Sequence, residues 1–333
     1  MMGSRVVFLD GLTVVLLGAC FASSCISPAQ AQLEDLLGPL QQLGNLPWQP
    51  DELMSALEGK VEFTEKELSQ IEQVRIPIKV ERDYGERCVE HYRGQLKRQR
   101  IRLTKRGPEV AYLQKLVDQL YPLMKRASEY KELRVSIVES PDVMALAYPG
   151  GTILVYRGLL DFVPSEAALV GVLGHEISHI DRGHQLFHLK RVEMVRQTLS
   201  PQVFSWQALV ASPSFLLKSM ARPFRPEEER LADLDGAAWA FELGYDPREL
   251  AKVFQKMHER EVRQNPQNPQ LAEFALPFLR THPASEVRLR EISRLSEELI
   301  IAAPQRPLYC GVRNLSQRKS RWQNEYPGEY SGQ

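Results

Sequence analysis

The sequence predicts an α+β fold that is mainly helical and carries one small β-sheet. Apolar residues recur at three- and four-residue spacing over residues 109–127, and the same helical periodicity returns over 248–262 and 284–299. Alternating apolar residues over 133–137 and a β-rich run over 152–156 predict two strands of a short sheet. Because 43% of the residues are hydrophobic, the chain can also build a sizeable core.

Two further helices are predicted in the middle of the chain. Ser165 is a candidate N-cap for a mostly buried helix that runs through Ile180. Another helical stretch follows residues 223–228 and runs through Leu243, where a Gly-containing segment ends it. Between them, the apolar residues 203–217 are expected to form a buried helix or a flexible lid over a cleft.

The N-terminal residues 1–31 are predicted to be a signal peptide. Arg5 precedes an apolar run over residues 6–22, and the small residues before Gln32 favour cleavage at that point. The alternative is a lipoprotein signal, because the segment that ends at Cys20 resembles a bacterial lipoprotein box. The mature protein is therefore expected to be exported to the periplasm or another extracytoplasmic compartment, with an outer-membrane lipoprotein as the alternative.

The rest of the chain is predicted to be one domain with two flanking segments. Residues 32–79 are expected to form a partly helical lead-in and residues 80–302 the domain. Residues 303–333 are expected to form a tail in which no packed element is predicted apart from a possible tether at Cys310. Lys plus Arg and Asp plus Glu number 42 each, which argues against a nucleic-acid partner. We expect no membrane-spanning segment in the mature chain, since no apolar stretch reaches the roughly 18 residues that a span needs.

The cysteines leave one covalent question open. Removal of the signal peptide would leave Cys88 and Cys310 as an even pair in an oxidising compartment. The sequence therefore allows either a disulfide between them or two unpaired thiols.

The segment HEISH at residues 175–179 carries the strongest chemical signal. His175 and His179 are four residues apart on a predicted helix, so both imidazoles can reach one metal ion. Zinc held in this way lowers the pKa of a bound water toward about 7, and an adjacent carboxylate such as Glu176 can take the proton of that water. The pattern is typical of peptide hydrolysis without a covalent intermediate.

A catalytic zinc usually needs a third protein ligand. His184 falls one place away from the metzincin spacing and is expected to be a helix-end or core histidine. Glu229 lies on a second predicted helix with Asp233 one turn later, where Asp233 could hold a ligand histidine by a hydrogen bond. Spacing alone leaves Glu227 and Glu228 open as substitutes for Glu229.

Four segments occur in the order found in a known family. They are residues 145–160 (ALAYPGGTILVYRGLL), 174–184 (GHEISHIDRGH), 229–233 (ERLAD), and 281–288 (THPASEVR). In these segments the chain resembles the CAAX prenyl protease-type zinc metallopeptidases, which are gluzincins with an HExxH motif, and especially their soluble bacterial members in the cell envelope. The resemblance spans roughly residues 80–300 and implies a zincin-type domain whose edge strand borders the active-site cleft.

The resemblance also implies roles for individual residues. It implies one Zn²⁺ per chain, with His175, His179 and Glu229 as ligands and Asp233 as the support of a ligand. His282 would stabilise the oxyanion or occupy the water position in a resting form. The expected edge strand would bind the extended substrate backbone through the residues Gly151, Thr152, Ile153, Leu154 and Val155.

These observations favour a zinc endopeptidase that acts on unfolded or misassembled cell-envelope proteins, with an envelope protein as a candidate regulator. The alternative is a zinc-binding chaperone or scaffold module whose metal site is structural or latched. Membrane-embedded processing of prenylated proteins is disfavoured by the lack of an apolar span in the mature chain.

Overall fold

The computed structural model describes residues 63–199, 205–264, 282 and 286–331. The predicted signal peptide, Cys20 and most of the lead-in lie outside these ranges. The described α-helices are α1 Glu65–Gln73, α2 Ile78–Arg98, α3 Pro108–Leu120, α4 Arg157–Phe162, α5 Glu166–Arg182, α6 Phe187–Leu199, α7 Trp206–Ala211, α8 Pro213–Ala221, α9 Pro226–Glu242, α10 Arg248–Gln264, α11 Glu286–Ala302 and α12 Val312–Gln317. Helices dominate the described chain, as the sequence predicts.

Four short strands form a single mixed sheet. They are β1 Leu103–Thr104, β2 Arg134–Val138, β3 Ala145–Tyr148 and β4 Thr152–Tyr156, in the spatial order β1-β2-β4-β3. β2 and β4 run parallel, whereas β1 and β3 pair antiparallel at the two edges. The predicted α+β fold is confirmed, including one strand expected from the alternating apolar residues over 133–137 and one expected from the β-rich run over 152–156.

The position of β4 corrects one expectation. We expected residues 151–155 to offer a free strand edge to the substrate, but β4 is paired with β2 on one side and with β3 on the other. Its backbone groups are therefore already used within the sheet, and an added strand cannot pair with it. The edge strand on this side of the sheet is β3, whose residues Leu146 and Tyr148 pair with Leu154 and Thr152.

Helix α5 runs through the centre of the domain. Ser165 caps it as predicted, because the Ser165 side chain accepts a hydrogen bond from the Ala168 backbone N–H at 3.1 Å. The helix ends at Gly183, which adopts a left-handed conformation with φ of 66°. Every residue of α5 from Glu166 to Asp181 is buried, so the helix is surrounded by protein on all sides.

Glycines allow α5 and α9 to approach closely. A Cβ atom on Gly236 of α9 would lie 2.6 Å from the carbonyl oxygen of Gly171 and 3.0 Å from the backbone nitrogen of His175. A Cβ atom on Gly174 of α5 would in turn lie 3.0 Å from the Cα atom of Gly236. This contact places the HEISH turn of α5 directly against α9, the helix that carries Glu229.

Helices α7 and α8 account for most of the apolar stretch that was expected to be a buried helix or a lid. Pro213 begins α8, and the Ser212 side chain caps that helix. Leu209 and Phe215 are buried in a cluster that includes residues of α2. Within the described ranges, no helix is long and apolar enough to cross a membrane.

The C-terminal segment is packed, contrary to expectation. Tyr309 is fully buried and forms isolated β-bridges to Tyr245 and Tyr330, and Asn314 at the centre of α12 is also fully buried. The Tyr309 hydroxyl and Asn314 Oδ1 are hydrogen-bonded at 2.5 Å. The sequence did not predict this packing, because it depends on contacts between residues that are far apart along the chain, such as Tyr245 and Tyr309.

Cys88 and Cys310 are free thiols in the structure, so the disulfide that the sequence allowed is not formed there. Cys88 is buried in the cluster around α2, whereas the Cys310 carbonyl accepts a hydrogen bond from the Ala167 N–H at the start of α5. The two cysteines therefore belong to different packing environments.

Candidate metal centre and active site

His175, His179 and Glu229 converge between α5 and α9. His175 Nε2 lies 3.1 Å from His179 Nε2 and 3.7 Å from Glu229 Oε2, and His179 Nε2 lies 3.5 Å from Glu229 Oε1. Donor atoms placed tetrahedrally around zinc at 2.0–2.2 Å lie about 3.3–3.6 Å from one another. The spacing of these three donors therefore fits one zinc ion.

The choice among the three neighbouring glutamates follows from their partners. Glu228 is ion-paired with Arg222 at 2.9 Å, and Glu227 is ion-paired with Arg230 at 2.6 Å. Only Glu229 points at the two histidines. The structure therefore brings together the set that the sequence favoured and not its two substitutes.

Glu176 lies beside this cluster and lines the adjoining cleft. Its side chain is buried, and its Oε1 atom makes no hydrogen bond with any described residue. A buried carboxylate oxygen without a hydrogen bond is costly unless a further group, such as water or substrate, binds to it. The position of Glu176 beside the cluster, and an Oε1 atom that is available to accept a proton, suit a general base.

His282 is the fourth member of the cluster. Its Nδ1 atom lies 3.2 Å from His175 Nε2 and 2.8 Å from Glu229 Oε1, and its Nε2 atom lies 3.5 Å from Glu176 Oε1. One potential ligand atom from each of His175, His179, Glu229 and His282 falls within 4.8 Å of the others. His282 thus stands where a fourth ligand or a substrate oxygen would be.

Asp233 and Arg288 contact the ligand residues His175 and Glu229 and fix their orientation. His175 Nδ1 and Asp233 Oδ1 are 2.9 Å apart, so a proton on Nδ1 leaves Nε2 free to bind metal. Arg288 donates to both Asp233 oxygens at 2.7 and 2.9 Å and is ion-paired with Glu229 Oε2 at 2.8 Å. Asp233 therefore lies where predicted, whereas Arg288 was noted only as part of a matching segment.

His179 is held by two residues that the sequence did not assign to the site. Its Nδ1 atom lies 2.8 Å from His184 Nδ1, and its ring stacks on Phe224 with centroids 3.8 Å apart. Burial lowers the pKa of His184 to about 4, so His184 is neutral at pH 7 and can accept a hydrogen bond from His179 Nδ1–H. This arrangement again leaves Nε2 of the ligand histidine free.

The charges around the cluster favour the metal-binding protonation states of two ligands. Burial lowers the pKa of His179 well below its usual value, and neighbouring histidines add to that effect. Burial opposes ionisation of Glu229, but His282 and Arg288 outweigh it and lower the pKa of that carboxyl. His179 is therefore a neutral imidazole and Glu229 an ionised carboxylate near neutral pH, as zinc ligands must be.

Arg288→Met is expected to weaken zinc binding by about 10–100-fold, because it removes the cation that orients Glu229 and Asp233 and leaves two buried carboxylates without it. Zinc affinity is measured by competition with a chromogenic chelator. Arg290→Met is the control, since Arg290 is exposed on the same helix. An Arg288→Met protein with the affinity of the natural chain would show that the ion pairs do not orient the ligands.

Metalloendopeptidases are the class of protein that this fold and this site define. The chain belongs to peptidase family M48, because the model of that family matches residues 109–296, more than half of the chain. The zinc cofactor follows from the family and fits the cluster of donors in the structure.

Curated relatives match about half of the chain. Mitochondrial metalloendopeptidase OMA1 of Arabidopsis thaliana is 30% identical over 172 residues, which cover 50% of this chain and 33% of the relative. Mitochondrial metalloendopeptidase OMA1 of Schizosaccharomyces pombe is 25% identical over 186 residues, which cover 56% of this chain and 52% of the relative. Beta-barrel assembly-enhancing protease of Yersinia pestis is 25% identical over 185 residues, which cover 49% of this chain and 34% of the relative.

The chain thus spans between a third and about half of the length of these relatives. The resemblance expected from the four segments is confirmed at the level of the M48 family and its zinc. None of these three relatives is named as a prenyl protease, so the narrower CAAX-type specificity is not supported.

Proposed function

We propose that this protein is a zinc-dependent endopeptidase that hydrolyses peptide bonds of unfolded or misassembled cell-envelope proteins. The observation that carries the proposal is the buried Glu176 carboxylate beside the metal-binding groups of His175, His179 and Glu229. Its Oε1 atom makes no hydrogen bond among the described residues. A purely structural zinc site has no use for such a group.

In the proposed reaction, Glu176 accepts a proton from the attacking water and later passes it to the nitrogen of the leaving amine. Zinc, when bound by His175, His179 and Glu229, supplies Lewis-acid activation of that water and of the scissile carbonyl. Asp233 and His184 keep the two ligand histidines in the required tautomers. The surrounding burial keeps bulk water away from the reacting groups.

The substrate is proposed to bind as an added strand along β3. Leu146, Ala147 and Tyr148 line the same cleft as Glu176. The Ala147 carbonyl accepts a hydrogen bond from Gln185 Nε2 at 3.3 Å, so this carbonyl faces a donor that lies outside the sheet. Because strand addition needs an extended peptide, an unfolded segment is a better substrate than a folded surface.

The envelope assignment is supported by the N-terminal signal pattern and by the name of one relative, a beta-barrel assembly-enhancing protease. We propose export to the periplasm, with a lipid anchor at Cys20 as the alternative, and regulation by an envelope protein. We further propose that the catalytic domain begins near residue 80 and, because Tyr309 and Asn314 are buried in it, extends beyond residue 302.

The proposed function is tested by incubating the purified chain with unfolded casein and with a folded control protein, each with a chelator, without one, and after zinc is restored. We expect new peptide termini only from casein and only when zinc is present. Absence of cleavage in the zinc-loaded sample would refute an unassisted endopeptidase.

A second candidate function is favoured by the position of His282. With His282 included, four donors surround the metal position, and closed four-ligand sites are typical of structural or resting zinc. In this form the protein would be a latched protease, or a zinc-binding chaperone or scaffold module. The latched protease and the active protease differ in how replacement of His282 changes the cleavage rate.

His282→Ala is expected to raise casein cleavage by up to about tenfold if His282 closes the fourth position nine-tenths of the time, since activity scales with the open fraction. If His282 instead stabilises the oxyanion, the same change should lower the rate by roughly 10²–10³-fold. Initial rates at saturating zinc distinguish the two, with His91→Ala as a control outside the site. Unchanged rates would exclude both roles.

A further inference from the structure

A cavity of about 260 Å³ continues from Glu176 and His282 into the body of the domain. β3 and the segment before it form one wall, α8 forms the opposite wall, and α2 forms the floor. The volume lies just below the roughly 300–1,000 Å³ of typical small-molecule sites, which suits a single side chain of a longer substrate. Because Glu176 lines it, the cavity begins at the reacting groups.

The cavity wall is mainly apolar and aromatic. Tyr84 and Cys88 of α2 lie on the floor, Leu146 of β3 lies on one side, and Leu217 and Met220 of α8 lie on the other. Tyr84 and Cys88 are nearly or fully buried, and Leu217 is 43% exposed, so the cavity deepens from an open rim to a closed floor. A large apolar side chain would gain the most from leaving water here.

Beyond Glu176 and His282, which lie where the cavity begins, the described wall residues offer no unpaired charge to a substrate. Burial raises the pKa of the Cys88 thiol to about 12 and raises the pKa of Tyr148 well above its usual value, so both groups are neutral at pH 7. Arg222 lies at the rim, but it is ion-paired with Glu228 at 2.9 Å and stacks on Phe187. A charged side chain would therefore lose its hydration without gaining a partner.

Besides Glu176 Oε1, three polar atoms in the wall make no hydrogen bond with any described residue. They are the Tyr148 hydroxyl, Gln185 Oε1 and Ser219 Oγ, and all three are buried. Buried polar atoms of this kind are normally satisfied by water or by a ligand. They could pair with the polar tip of a tyrosine or tryptophan, which an aliphatic side chain does not have.

We propose that this cavity is the subsite for the substrate side chain next to the scissile bond, and that it selects a large, uncharged, preferably aromatic residue. The proposal rests on the proposed endopeptidase function, because it places the cavity on the path of the substrate that Glu176 acts on. It narrows the substrate class from unfolded protein to apolar segments that are normally buried in a folded protein.

The test uses a set of unstructured peptides that are identical except at one position, which carries Tyr, Phe, Leu, Ala, Lys or Asp. Cleavage sites are mapped by mass spectrometry, and kcat/KM is measured for each peptide. We expect Tyr and Phe to exceed Lys and Asp by at least about tenfold, which corresponds to roughly 1.4 kcal/mol. Equal rates across the set, with cleavage at the same bond, would overturn the subsite.

Variants of the wall make the test specific to this cavity. Leu217→Lys and Met220→Lys add a cation to the wall and should shift the Asp-to-Phe ratio upward by about tenfold or more, since the cation supplies the missing partner for a carboxylate. Ile301→Lys, at a position that is 76% exposed and outside the cavity, should leave the ratio unchanged.

The outcomes separate the two proposals. Cleavage of casein and of all peptides without preference refutes the subsite and leaves the endopeptidase function in place. An unchanged ratio in both wall variants, with a normal melting temperature, also refutes the subsite. If neither casein nor any peptide is cleaved by the zinc-loaded chain, the endopeptidase function fails and the subsite fails with it.

Discussion

Glu176→Gln is expected to lower kcat/KM for unfolded casein by about 10²–10⁴-fold, which is the usual contribution of a general base. Glutamine keeps the shape of the side chain but cannot accept a proton from water. Glu176 Oε1 makes no hydrogen bond with the described residues and lies 3.5 Å from His282 Nε2, so the neutral amide breaks no short contact of this oxygen. The thermal unfolding midpoint should therefore stay close to that of the natural chain.

Glu227→Gln is the matched control for this change. Glu227 lies on α9 two residues before Glu229, but its carboxylate is ion-paired with Arg230 and does not face the metal cluster. Its replacement should leave kcat/KM within about a factor of two, because exposed ion pairs contribute little. A Glu176→Gln protein as active as this control would rule out Glu176 as the base.

Gly236→Ala is expected to lower kcat/KM by about 10²-fold and to destabilise the fold by about 1–3 kcal/mol. The added Cβ atom would lie 2.6 Å from the Gly171 carbonyl oxygen and 3.0 Å from the His175 backbone nitrogen. These are backbone atoms of α5, which cannot rotate away as a side chain would. The two helices must therefore separate, and Glu229 on one must move away from His175 and His179 on the other.

Gly94→Ala separates this effect from ordinary helix propensity. Gly94 lies inside α2, and its added Cβ atom would meet only the end of the Arg98 side chain at 3.8 Å. Alanine should stabilise that helix by up to about 1 kcal/mol without affecting activity. Urea unfolding and casein cleavage measure both effects, and unchanged activity in Gly236→Ala would mean that the helix contact does not position the ligands.

The sequence predicted the parts of the fold that depend on local pattern. The Ser165 cap, the buried helix with HEISH and the helix that carries Glu229 and Asp233 all follow from periodicity, capping and spacing. Helix periodicity places side chains four residues apart on one face, independently of the tertiary structure. The histidine pair was therefore predictable from the sequence. Glu229 was supported as the third ligand by the resemblance of four segments, in order, to a known family.

The parts that the sequence did not predict depend on contacts between distant residues. Strand order is one example, because the β-rich run at β4 does not reveal that β2 and β3 flank it. The packing of Tyr309 against Tyr245 is another. Arg288 lies 55 residues from Asp233 along the chain, and only the folded structure shows that the two are bonded.

The measurement that tests the central claim most directly is the zinc content and casein cleavage of three proteins: the natural chain, Glu176→Gln and Glu229→Gln. We predict one zinc per chain in the first two and a much lower content in the third, because Glu229 is the only carboxylate in the metal cluster among the residues that the structure describes. Only the natural chain should cleave casein. Full zinc content in Glu229→Gln, or cleavage by Glu176→Gln at the natural rate, would contradict the assignment of ligand and base.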